Sequence, residues 1–179
     1  MAVEAEMRLH RCCFTGHRPE KLQRPEWEIR VDLEREIRKA VCDGLNVFIT
    51  GMARGIDIDA AEIVLQLRAE GYPVRLICAS PYPGFEHSWS NLWQTRYGAV
   101  IADADLVRYI CPQYRRGCFQ IRNEWLVDHS ARVIAVFNGC PRQSSNKYIT
   151  TIDLLDKMTE GQIELANKVI QCIAEHGGE

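Results

Sequence analysis

The sequence predicts an α/β fold, a three-layer Rossmann-like parallel sheet with helices on both faces. Three observations predict it. Five short apolar runs alternate with stretches whose apolar residues recur at helical spacing. Most of these runs are continuous and β-branched, as strands covered on both faces must be. Glycines and hydrogen-bonding residues collect in the segments that leave the runs rather than in those that enter them, and the former end of such a sheet is where ligands bind.

Residues 8–14 read as the first strand, ending in Thr15-Gly16-His17-Arg18-Pro19. Pro19 and Pro25 hold off a helix until about residue 25; it then runs to residue 43 with Ile29, Leu33, Ile37, Ala40 and Val41 as its buried stripe, and Gly44 stops it. Residues 45–49 form a second strand, and after a glycine-bounded loop Ile56, Ala60, Ile63 and Leu67 mark a helix reaching residue 70. A third strand spans 74–79 and leads into Ser80-Pro81-Tyr82; the stretch 85–100 is helical in part, its Trp89 and Trp93 suited to helix packing more than to stacking on a base. A fourth strand at 106–110 leads to Tyr114-Arg115-Arg116-Gly117 and a helix over 118–130. The fifth strand, 133–137, is followed by Asn138 and Gly139, and residues 147–158 and 160–175 read as helical.

A length of 179 residues fits one domain over 1–179 with a core of its own. The net charge of −2 offers no general attraction to nucleic acid or to an anionic membrane, so a basic partner surface has to be local. No apolar stretch approaches spanning length and residues 1–7 are acidic where a secretory signal is basic, which leads to the expectation of a cytoplasmic protein. Of the eight cysteines, Cys12 and Cys13 are adjacent, Cys42, Cys78, Cys140 and Cys172 are scattered, and Cys111 and Cys118 are too far apart for a metal-ligand pair; buried reduced thiols are expected rather than a metal site.

The second strand and its loop hold the most informative chemistry. Gly51 and Gly55 bracket Met52 and Ala53 and permit a sharp turn or close approach of a ligand, while the helix that follows starts with unpaired N–H groups. A tight connection without any ligand explains the same two glycines. Asp57 and Asp59 in the first turn cap the helix, repel phosphate or accept from a ribose hydroxyl. Thr15, His17 and Arg18 can all hydrogen-bond a ligand, and His17 can equally tether its own loop. Arg122 stands in the first turns of its helix, from where its guanidinium can point back over the strand ends. Arg115 and Arg116 are as readily plain solvated charges.

Cys13-Phe14-Thr15-Gly16-His17-Arg18-Pro19, Ile49-Thr50-Gly51-Met52-Ala53-Arg54-Gly55-Ile56-Asp57, Ser80-Pro81-Tyr82, residues 114–118 and Arg122-Asn123 together resemble the YpsA-like proteins of the SLOG superfamily. The likeness covers roughly residues 9–155. It implies a Rossmann-like domain that binds a nucleotide or nucleotide-derived ligand, and helix faces that pair into a homodimer. Related branches are the LOG phosphoribohydrolases and the DNA-processing protein DprA. Where relatives carry a glycine-rich phosphate loop after the fifth strand, this sequence has Asn138-Gly139-Cys140-Pro141-Arg142-Gln143-Ser144-Ser145-Asn146, and no glutamate follows in the hydrolase position.

The leading expectation is a small nucleotide-derived ligand at the carboxyl ends of the strands, touched by Thr15, Gly16, His17, Arg18, Gly51, Met52, Ala53, Gly55, Asp57, Pro81, Tyr114, Arg116, Gly117, Arg122, Asn123, Asn138 and Gly139. The alternatives are a nucleoside monophosphate phosphoribohydrolase, using Arg122 and an acid such as Asp57, and a single-strand DNA binder using Tyr114, Arg115, Arg116 and Phe119. No catalytic residue and no metal ligand is singled out.

Overall fold

In the computed structural model, residues 2–137 and 148–154 are described. A short helix, α1 (Ala2–Arg8), precedes β1 (Arg11–Gly16). There follow α2 (Glu26–Cys42), β2 (Val47–Thr50), α3 (Ile56–Ala69), β3 (Arg75–Ser80), α4 (Asn91–Asp103), β4 (Leu106–Tyr109), α5 (Cys118–Asp128), β5 (Arg132–Val136) and β6 (Ile149–Asp153). All five strands expected from the sequence are present, each within a few residues of its predicted bounds.

The sheet has the order β4-β3-β2-β1-β5-β6. Its first five strands are parallel, and β6 runs antiparallel to β5. From β1 the chain steps outward through β2, β3 and β4, then returns to place β5 on the other side of β1. The strand order therefore reverses between β1 and β5, where an open α/β sheet leaves a crevice beyond its carboxyl ends.

The two faces of the sheet bury different side chains. Cys12, Phe14, Phe48, Leu76, Cys78, Ile134 and Val136 meet α2, α3 and α4, with Leu33, Ile37, Ile63 and Leu67 completing that core. Phe14 and Phe48 stack across neighbouring strands at 5.9 Å. On the other face Cys13, Ile49, Ala79, Val133 and Ala135 pack with Leu126 of α5. Alternation along β1 sends Cys12 and Phe14 one way and Cys13 the other, so the strand is buried on both sides. Five of the six described cysteines are buried free thiols, and burial pushes Cys13 and Cys78 up to about 12.

Two local expectations are corrected. Residues 149–153, read as part of a helix, form β6; residues 155–175 of that reading lie outside the described residues. Ile149 packs into one core and Ile152 into the other, so two isoleucines on opposite faces of a strand stand three residues apart and mimic a helical period. The first strand begins at Arg11 rather than residue 8, because residues 2–8 form α1, with Arg8 Nε donating to the Ser130 carbonyl at 3.0 Å. Trp89 lies just before α4, edge-on to Phe85 at 4.9 Å and to Tyr97 at 5.7 Å, and Trp93 lies under the Arg96 guanidinium at 4.4 Å; both are packing residues.

Candidate functional site

Three connections leave the carboxyl ends of β1, β2 and β4 and meet on one rim. After β1 the His17 amide donates to the Val136 carbonyl at 3.0 Å, prolonging the β1–β5 pairing by one residue beyond Gly16 and holding the buried His17 at the crevice. Thr15 and Gly16 are half-buried at the end of the strand, and Arg18 follows immediately before a short 3-10 turn at Pro19–Lys21.

The loop after β2 is built by its own polar atoms. Thr50 Oγ1 donates to the Asp57 carbonyl at 2.8 Å and accepts the Met52 amide at 3.2 Å, so one buried hydroxyl ties the strand end to α3. Asp57 turns back and accepts the Ala53 amide at 3.1 Å on Oδ2. Met52, fully buried, takes a left-handed conformation with φ of 62°. Gly55 enters α3 at φ of 88°, and a Cβ there would sit 2.8 Å from Pro19, so the β1 and β2 loops touch at this glycine.

Arg122 crosses from α5 to this loop. Its Nη1 donates to the Gly51 carbonyl and lies 3.5 Å from Asp57 Oδ2. A Cβ on residue 51 would collide with that guanidinium, which makes glycine the condition for the crossing. The Arg122 residue is 6 % exposed. Burial lowers its pKa, opposed by the nearby Asp57 carboxylate; burial lowers that of Arg18 too, again opposed by Asp57. Burial likewise raises Asp57 against the pull of Arg122. Arg122 Nε and Arg18 Nη1 are buried with no hydrogen-bond partner among the described residues. Arg54, beside them, pairs through Nη2 with Glu20 at 2.7 Å, and its Nε is likewise buried with no partner among the described residues. Two desolvated cations thus share a single buried carboxylate and retain unused N–H groups, an arrangement that an anion would complete.

The β4–α5 connection forms the far side. Ile110 and Cys111 donate to the carbonyls of Ser80 and Pro81 at 2.9 Å each, which fastens it beside the β3 end. Pro81 is buried, Gly117 precedes α5 as its N-terminal cap, Asn123 is half-buried beside Arg122, and Arg116 is exposed. Of the residues singled out in the sequence, those from Thr15 to Asp57 are joined with Arg122 into one assembly. Tyr114, Arg116 and Gly117 share the rim at greater remove, and Asn138 and Gly139 lie outside the described residues. Asp59, offered with Asp57 as a ribose acceptor, is elsewhere: it pairs with Arg96 at 2.5 Å and Arg30 at 3.0 Å between the helices.

The family model YpsA, described as the YspA SLOG family, matches residues 12–170. The chain belongs to that family. Among curated proteins it is similar to a UPF0398 protein of Shouchella clausii, 28% identical over 126 residues that cover 69% of this chain and 67% of that one. It is also similar to a UPF0398 protein of Macrococcus caseolyticus, 26% identical over 160 residues, 85% of this chain and 86% of its relative. A third such protein, from Staphylococcus aureus strain JH9, is 22% identical over 129 residues, 70% of this chain and 68% of its own. These names state no activity. The SLOG match includes the whole Thr15–Asp57 assembly and Arg122. Sequence reasoning passed over Thr50, which ties this loop together; a lone hydroxyl ending an otherwise apolar run, directly before Gly51, was the available signal.

Proposed function

We propose that this SLOG protein binds a nucleotide or nucleotide-derived ligand at the carboxyl ends of β1 and β2, with the anionic group at Arg122 and Arg18. The observation that carries this reading is the buried Arg122 Nε, without a partner among the described residues while the same side chain is fixed through Nη1 to Gly51. A buried donor without an acceptor costs free energy, and a charged one costs more. Phosphate oxygens would supply the missing acceptors and offset the charge that Asp57 alone does not balance. The half-buried Thr15 hydroxyl and the Ala53 loop are suited to the sugar side of such a ligand.

Hydrolysis of an N-glycosidic bond is the less favoured reading. Asp57 is the buried carboxylate of the assembly, and its Oδ2 is already held by the Ala53 amide and Arg122, which suits a structural anchor better than a proton donor. A cytoplasmic location and pairing of two copies belong to the same proposal; the exposed Trp27 and Val31, one turn apart on α2, would serve the second. No helix among the described residues is long and apolar enough to cross a membrane.

Thermal unfolding with a panel of nucleotides and ADP-ribose tests the proposal. At about 100 times Kd a ligand that binds only the folded chain adds about 2.7 kcal/mol, or roughly 5–10 °C in Tm. A panel that leaves Tm unmoved refutes it, and free base in the same tubes would restore the hydrolase reading.

A further inference from the structure

The rim carries a second chemical surface that no phosphate requires. Tyr82, leaving β3, meets Tyr114 of the β4–α5 connection edge-on at 5.5 Å and Phe119 of α5 at 6.2 Å. Phe85 and Trp89 back this group, with Phe85 5.6 Å from Tyr82 and 5.5 Å from Phe119. The inner rings are held in the core, whereas Tyr114 is 63% exposed. Its edge contact with Tyr82 fixes one side of the ring and leaves a face to solvent. Phe119 and Arg122 are three residues apart on α5, hence on neighbouring turns of the same side of the helix. The aromatic group and the guanidinium that holds Gly51 are therefore borne by one side of α5.

From this juxtaposition the geometry points to Tyr114 as the seat of a planar heteroaromatic base, stacked on the exposed ring while the phosphate of the same molecule reaches Arg122. This rests on the anion-binding reading above and narrows it: the ligand is a nucleotide carrying its base, not a sugar phosphate or inorganic phosphate. Arg116 and Arg115 beside Tyr114 are exposed, so the seat is open at its outer edge and sets the ring's plane more than the identity of the base. Recognition should be tolerant among bases for that reason.

Calorimetric titration of the wild-type chain and of Tyr114→Ala and Tyr114→Phe with AMP, GMP and ribose 5-phosphate tests it. The wild type is expected to prefer either nucleotide to ribose 5-phosphate, and Tyr114→Ala to reduce that preference on the order of 10-fold while Tyr114→Phe keeps it. Equal loss for nucleotide and sugar phosphate, or no loss for either, overturns the base seat and leaves the anion site standing. Failure of the wild type to bind any of the three compounds removes both. Tighter binding of a single-stranded oligonucleotide than of AMP, falling steeply with salt, would also overturn the seat, in favour of a strand-binding surface.

Discussion

Two groups of sequestered arginines lie on this molecule, and they are wired in opposite ways. Between α2, α3 and α4, Arg96 donates from Nε to Glu62, from Nη1 to Glu26 and from Nη2 to both Asp59 and Glu62, at 2.5–3.1 Å. Arg30 joins the same two inner carboxylates at 2.7 and 3.0 Å. Hydrogen bonds to Glu62 lead the causes that raise the Arg96 pKa. At the strand ends, burial dominates instead and lowers Arg122, which among the described residues has one carbonyl and one carboxylate to answer it. In the first group Arg96 uses all three of its nitrogens and clamps three helices; the second, among the described residues, is short of acceptors. A guanidinium that finds every acceptor within its own chain is structural, and one that does not is receptive.

The contrast can be broken in three places. Arg96→Met should cost the most, about 3 kcal/mol of unfolding free energy in urea titration, because it strips Asp59 and Glu62 of their principal partner while leaving both carboxylates in place. A loss below 1 kcal/mol would mean that Arg30 suffices and the clamp is an ornament of the surface. Gly51→Ala drives a methyl group into the Arg122 guanidinium and should cost about 2 kcal/mol while abolishing any ligand-induced rise in Tm. Retained binding would show that Arg122 need not occupy its present position. Smallest of all is Arg122→Met, expected to leave the ligand-free chain within about 1 kcal/mol of wild type, since an apolar side chain of similar length replaces a poorly compensated charge while Arg18 remains to answer Asp57. That variant should nonetheless lose the nucleotide response, and a variant that binds normally would detach Arg122 from the site.

The sheet was legible because five runs of β-branched and apolar residues carry their own signal, as in Val47–Thr50 and Arg132–Val136. What escaped was β6, whose two isoleucines point to opposite faces and so lack the alternation that marks a half-buried strand. The same limit applies to α1, where Val3 and Met7 are exposed and no core stripe announces the helix. At the rim, residue types were readable and partners were not. Asp57 and Asp59 stand two apart and look equivalent in the sequence, yet α3 turns the first to Arg122 and the second to Arg96 and Arg30. Pairings across 71 positions, such as Arg122 with Gly51, come from tertiary packing and leave no local trace.

β1 is hydrogen-bonded on both sides, to β2 and to β5, and the His17 amide extends that attachment past its end. The inner wall of the crevice can therefore breathe only when the middle of the sheet opens, an event near the top of the domain's stability scale. On that side the proposed ligand would meet a contour already set, and the speed of its arrival would be governed by diffusion and charge rather than by waiting for the protein to rearrange.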